Sequence, residues 1–121
     1  MTTYQSNGSN NIIATTKIAV NETQSDIIDK VGRQMSTIEL DGWTAADISF
    51  LGCSTPDGTF RPVYDDYGNE AAAIVNANTS VTLARLALVL APVNYIKIRS
   101  GRVTGEVAQT EARTIKLSLS R

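Results

Sequence analysis

Four acidic residues, Asp57, Asp65, Asp66 and Glu70, stand on two neighbouring turn sequences, and loop carboxylates are the ligands a calcium ion takes. Their spacing lacks the alternating acids of a helix–loop–helix calcium loop, whereas Asp, Asn and Gly are what tight turns require. The expectation is turn chemistry and no metal site. Cys53 has no histidine to activate it, since the chain contains none, and it reads as a small apolar filler near a strand end. Asp65 and Asp66 are neighbours in one turn, which does not set two carboxyls across a cleft as glycoside hydrolysis needs. Trp43, Tyr64, Tyr67 and Tyr95 can line a sugar-binding face, but core packing and interface anchoring use aromatics equally well. Arg99 and Arg102, beside a glycine-containing loop, can hold an anion, pair across a subunit boundary or lie solvated. The chain is read as a non-enzyme, with no catalytic residue and no cofactor.

The elements that must position these residues are organised around Gly42–Tyr64. Ile48 and Phe50 alternate with Ser49 and Leu51 at the period of a strand. Ser54–Gly58 is a turn in which Pro56 presets φ and Gly58 is expected at positive φ. Thr59–Tyr64 is then a return strand anchored by Phe60, and Pro62 marks it as an edge or bulged strand. Before this hairpin, strands are expected over Ile12–Val20, Ser25–Val31 and Gln34–Leu40, with Asp41-Gly42 as a tight turn. After it come a turn over Asp65–Asn69, a weak strand over Ala71–Val75, a turn over Asn76–Asn78 and a strand over Thr79–Leu83. One or two helical turns follow near 84–89, ended by Pro92. The last strands are Asn94–Ser100, with Ile96 and Ile98 inward and Lys97 and Arg99 outward, and Thr114–Leu119. A long loop, Gly101–Gln109, joins them. Strand signals at roughly ten-residue intervals predict an all-β sandwich or barrel.

The 121 residues suit one domain, with 42% hydrophobic and 19% charged residues. A formal net charge of -1 with no basic run argues against a partner that is nucleic acid. The longest apolar segment, Leu86–Val93, is too short to cross a membrane and contains Pro92. The first residues lack the basic and apolar regions of a signal peptide, so a cytoplasmic site of synthesis and assembly is expected. Residues 1–11 are polar and read as a flexible arm that docks on something else or adds a strand to a partner. Residues 12–121 form the β-sandwich domain.

Three stretches taken in order carry a resemblance: Gly42-Trp-Thr-Ala-Ala-Asp-Ile-Ser-Phe50, Thr55-Pro-Asp-Gly-Thr-Phe-Arg-Pro-Val-Tyr-Asp-Asp-Tyr-Gly-Asn-Glu70 and Tyr95-Ile-Lys-Ile-Arg-Ser-Gly101. Together, with Thr114–Leu119 fitting a last strand, they resemble small β-sandwich structural proteins of tailed phages. The resemblance implies an all-β fold, a single antiparallel jelly-roll-like sandwich. It also implies a virion structural protein of the head-decoration (cement) type, located on the capsid surface, with the major capsid protein as partner. The alternative is a carbohydrate- or receptor-binding module of a phage tail or bacterial surface protein. From the residues themselves, the apolar Leu86–Val93 segment holds more than a single edge turn can bury. Tyr67, Leu86, Leu88, Val89 and Leu90 are therefore the expected interface residues. Self-association as a homotrimer is expected, because a local threefold on a capsid offers three equal docking sites.

Overall fold

The computed structural model describes residues 1–6, 8, 11–75 and 79–121. Alternation of apolar and polar side chains sorts most of the chain into strands: β1 (Thr3–Ser6), β2 (Ile12–Ile18), β3 (Ile28–Asp29), β4 (Gln34–Leu40), β5 (Ile48–Cys53), β6 (Arg61–Pro62), β7 (Ala72–Ala73), β8 (Ser80–Thr82), β9 (Tyr95–Arg102), β10 (Gly105–Glu106) and β11 (Arg113–Ser120). One helix, α1 (Ala84–Leu90), interrupts them. The turn expected at Asn76–Asn78 lies outside the described residues.

Two antiparallel sheets form. The first has the order β1-β2-β11-β4-β8, and the second runs β10-β9-β5-β6, with β3 added to β9 and β7 to β5. Setting aside β1 and β10 and taking β6 and β7 as one interrupted strand, the first sheet reads first–last–third–sixth. The second reads second–seventh–fourth–fifth. That wrapped order is the jelly roll. Between the sheets lie Ala14, Ile18, Ile38, Leu40, Ile115, Leu117 and Leu119 from one side and Ile28, Ile48, Phe50, Ile96 and Ile98 from the other, all buried. Trp43 joins this core, and its Nε1 donates to the Ala46 carbonyl at 3.1 Å.

Several expectations are corrected. Gly58 does not take positive φ. A Cβ there would sit 2.5 Å from Cys53 Sγ and 2.8 Å from Thr55 Oγ1, so any other residue would make those side chains shift. The strand expected to reach Val20 ends at Ile18, and Val20 is exposed where Asn21 turns the chain at φ 66°. The loop after Ser100 is a tight hairpin, with Arg102 opposite Gly105 and Gly101 opposite Glu106. Thr3–Ser6, within the segment read as an arm, pairs with β2 over the register Thr3–Thr15 to Ser6–Ile12. Thr2 is buried, and its hydroxyl lies 3.0 Å from that of Thr16 and donates to the Ile27 carbonyl at 2.7 Å. Backbone pairing and one small plug hold this segment, a device a hydropathy pattern does not reveal.

Candidate functional site

The turn Asp65–Asn69 follows β6, and the Tyr64–Glu70 bridge closes it. Asp65 builds it. Its Oδ1 accepts from the backbone N–H groups of Tyr67 and Asn69, both at 2.9 Å, and its own N–H donates to the Asn69 carbonyl at 2.8 Å. These hydrogen bonds, that of Asn69 first, favour the ionised form and hold the Asp65 carboxyl below its ordinary range. Gly68 closes the turn at φ 85°. The product is a rigid apex on which Tyr67 stands 87% exposed.

Glu70 fastens this turn to the second sheet. Its Oε2 accepts from Arg99 Nη2 at 2.6 Å and from the Val103 backbone N–H at 2.9 Å. Arg99 Nε donates to Ser49 Oγ at 2.8 Å, and that hydroxyl donates to the Gly101 carbonyl at 2.7 Å. The pair is buried, with side-chain exposures of 6% for Arg99 and 8% for Glu70. The sequence reading turned Arg99 outward. It does point away from the intersheet core, but Glu70 covers that outer face, so the guanidinium meets a carboxylate instead of water. The planar fork suits such a site, because it satisfies several acceptors from one fixed geometry.

Helix α1 forms the opposite wall. Leu86 and Leu90, four residues apart, are buried in the core, while Arg85, Leu88 and Val89 occupy the other side. Two of the expected interface residues, Leu86 and Leu90, are thus core residues and present no surface to a partner. Tyr67, Leu88 and Val89 do come together. They line an open groove of about 600 Å³ with Asp66, Asn69, Arg85 and Arg102. Leu88 is 73% exposed. Arg85 lies 3.7 Å from Asp65, and Arg102 is held by Asp47 at 2.7 Å. A smaller hollow of about 330 Å³ beside Glu39 and Lys116 has neither aromatic nor guanidinium in its lining.

The aromatics singled out by sequence do not converge. Trp43 is in the core, and neither Tyr64 nor Tyr95 lines the groove with Tyr67. Cys53 is half-buried, its Sγ 4.0 Å from Thr55 Oγ1. Among the described residues no cluster of acidic or cysteine side chains could hold a metal ion, and no helix is long and apolar enough to cross a membrane. The turn role read for Asp65 is what its hydrogen bonds show, whereas the place of Arg85 beside it was not apparent from the sequence. Asp at the first position of a turn was the available signal for Asp65; Arg85 carried none. The arrangement offers hydrogen bonding, stacking and charge pairing around one displayed aromatic. No family model matches the chain, and neither a curated protein nor a solved structure matches it.

Proposed function

We propose that this chain is a non-catalytic virion structural protein of a tailed phage, a head-decoration protein that docks on the major capsid protein through the Tyr67–Leu88 face. The observation that carries the reading is Tyr67, 87% exposed on a turn clamped by Asp65 and by the buried Glu70–Arg99 pair. An exposed aromatic on a backbone-clamped turn beside two arginines has the make-up of a binding hot spot, since little backbone entropy remains to be lost. The phage setting rests on the resemblance of the Gly42–Gly101 stretches. Three copies around a local threefold would each contribute weak contacts, and avidity would hold them across capsid subunit boundaries.

The test uses purified heads stripped of the protein and re-decorated. Wild-type protein should bind and raise the temperature of DNA release. Tyr67→Ala combined with Leu88→Asp should lose most of the occupancy while the isolated domain melts as before. Equally robust stripped heads, or a protein found only on tails, would overturn the reading. A second reading, a saccharide-binding module, draws on the planar polar groups of Asp66, Asn69, Arg85 and Arg102 around the Tyr67 ring. A glycan array with the same Tyr67 variant separates the two.

A further inference from the structure

Sheet edges expose unpaired backbone groups, and proteins block them with short strands, charges, proline or bulges. The edges of this molecule differ in that respect. On the second sheet, β6 carries Arg61 and Pro62, β10 is two residues long and carries Glu106, and β3 and β7 are two residues each. On the first sheet, β8 is three residues long and runs almost directly into α1. The opposite edge, β1, carries no charge, proline or bulge. It is four residues long, Thr-Tyr-Gln-Ser, uncharged and free of proline, with an unbroken register against β2, and all four side chains are exposed. Its Tyr4 stays 43% exposed although its hydroxyl accepts from the Asp29 backbone N–H at 2.7 Å. The β1 edge is therefore held in place, free of bulges and open to strand addition.

We propose that β1 is a self-association edge, on which β1 of a second copy adds antiparallel across a twofold axis and joins the two first sheets into one. A second copy is the occupant because four uncharged residues meet themselves without repulsion, and an isologous contact needs one patch to match itself. Recognition is by the main-chain ladder, with Tyr4 as the side-chain contact. This goes beyond the docking reading: it uses another part of the molecule and needs no capsid. The contact is small, so it is weak in solution and gains strength where many copies are held side by side.

A twofold that keeps the outer faces on one side pairs residues of like parity. Thr3 and Gln5, which share the outer face of β1, then oppose Thr3 or Gln5 of the other copy. The experiment follows from that. Sedimentation of wild-type protein over rising concentration should show a monomer–dimer equilibrium. Thr3→Lys with Gln5→Lys should weaken dimerisation tenfold or more, and so should Thr3→Glu with Gln5→Glu, because like charges face each other. Mixing the two variants should restore a heterodimer. In wild-type protein the amides of residues 3–6 should gain hydrogen-exchange protection as concentration rises, a readout that requires no variant. A wild-type chain monomeric at all concentrations would overturn the proposal, as would charge variants that dimerise unchanged or amides whose protection ignores concentration. The lysine variant should still decorate heads, and the Tyr67 variant should still dimerise, so failure of either reading is seen separately.

Discussion

Among the described residues two cations are buried, and they are treated in opposite ways. Arg99 meets a carboxylate, Glu70, and a hydroxyl, Ser49, with every contact under 3 Å. Lys30 is 2% exposed. Its Nζ donates to the carbonyls of Leu90 and Ala91 at the end of α1, and among the described residues no carboxylate pairs with it. Helix α1 has no basic residue in its own last turn. Lys30 supplies that charge from another part of the chain, where the terminal carbonyls and the negative end of the helix dipole favour a cation. Carbonyls replace lost hydration only in part, so burial pushes the Lys30 ammonium below its ordinary value. Each cation also adjoins an exposed turn. The Glu70–Arg99 pair fixes the turn whose left-handed position is Gly68, whereas Lys30 is followed by Val31 at φ 51° and Gly32 at φ 68°. A β-branched residue in the left-handed region is strained. One region spends a full set of partners on rigidity; the other leaves a charge under-solvated beside a strained apex.

The largest expected effect tests the first region. Glu70→Ala leaves a buried guanidinium without its counter-ion and the Val103 N–H without its acceptor, and should cost about 3–5 kcal/mol in urea unfolding. Replacing both partners, Arg99→Met with Glu70→Leu, should recover most of that loss, because an apolar pair needs no desolvation. A single-variant loss below about 1 kcal/mol would mean that water reaches the pair.

The second prediction turns to Lys30. Lys30→Met removes both the hydrogen bonds and the desolvation cost, so at neutral pH it should shift stability by no more than about 1.5 kcal/mol. The pH dependence is sharper. Between the lowered folded value and the ordinary 10.5, the unfolded lysine holds a proton that the folded one has released. Stability of the wild type relative to the Met variant should therefore rise with pH through that window and level off above it. A flat difference would mean that Lys30 is fully solvated when charged.

Val31→Asn should stabilise by about 1 kcal/mol, since Asn tolerates the left-handed region that Val occupies there. Thermal melts of the two proteins at one pH check this, and an unchanged or lower melting temperature would show that Val31 is not under strain. The smallest effect belongs to the other apex. Tyr67→Ala should leave stability within about 0.5 kcal/mol, because the exposed ring packs on little. A larger loss would make Tyr67 part of the structure and not a displayed contact.

The strands were legible because burial on one face of a sheet imposes a period of two. Gln34–Leu40 was placed at its true limits, and Ile96, Ile98, Ile115, Leu117 and Leu119 face the core as their alternation requires. Pro62 marked an edge strand, and β6 lies at the end of its sheet, because a residue without an N–H cannot serve two neighbours. Of the residues read as an interface, Tyr67, Leu88 and Val89 line one groove, whereas Leu86 and Leu90 lie in the core. A run of apolar residues does not say which of its sides is covered. Once α1 packs on β4, the spacing of 3.6 residues per turn sends Leu86 and Leu90 inward and leaves Leu88 outside.

By itself, then, the sequence determined the alternating pattern, the turn residues and an all-β class, sandwich or barrel, since these depend on neighbours within a few positions. It also settled that histidine chemistry is unavailable, as no histidine is present. The tertiary structure alone decided what covers the outer face of the second sheet. Strand periodicity separates two faces but does not distinguish water from a folded-back turn, so only Glu70, 29 residues away in the chain, makes Arg99 a buried ion pair. Distance along the chain likewise hid the contact of Lys30 with the Leu90 carbonyl, 60 residues on. The pairing of Thr3–Ser6 with β2 escaped for a different reason. It rests on backbone hydrogen bonds, which every sequence can offer and no side-chain pattern announces.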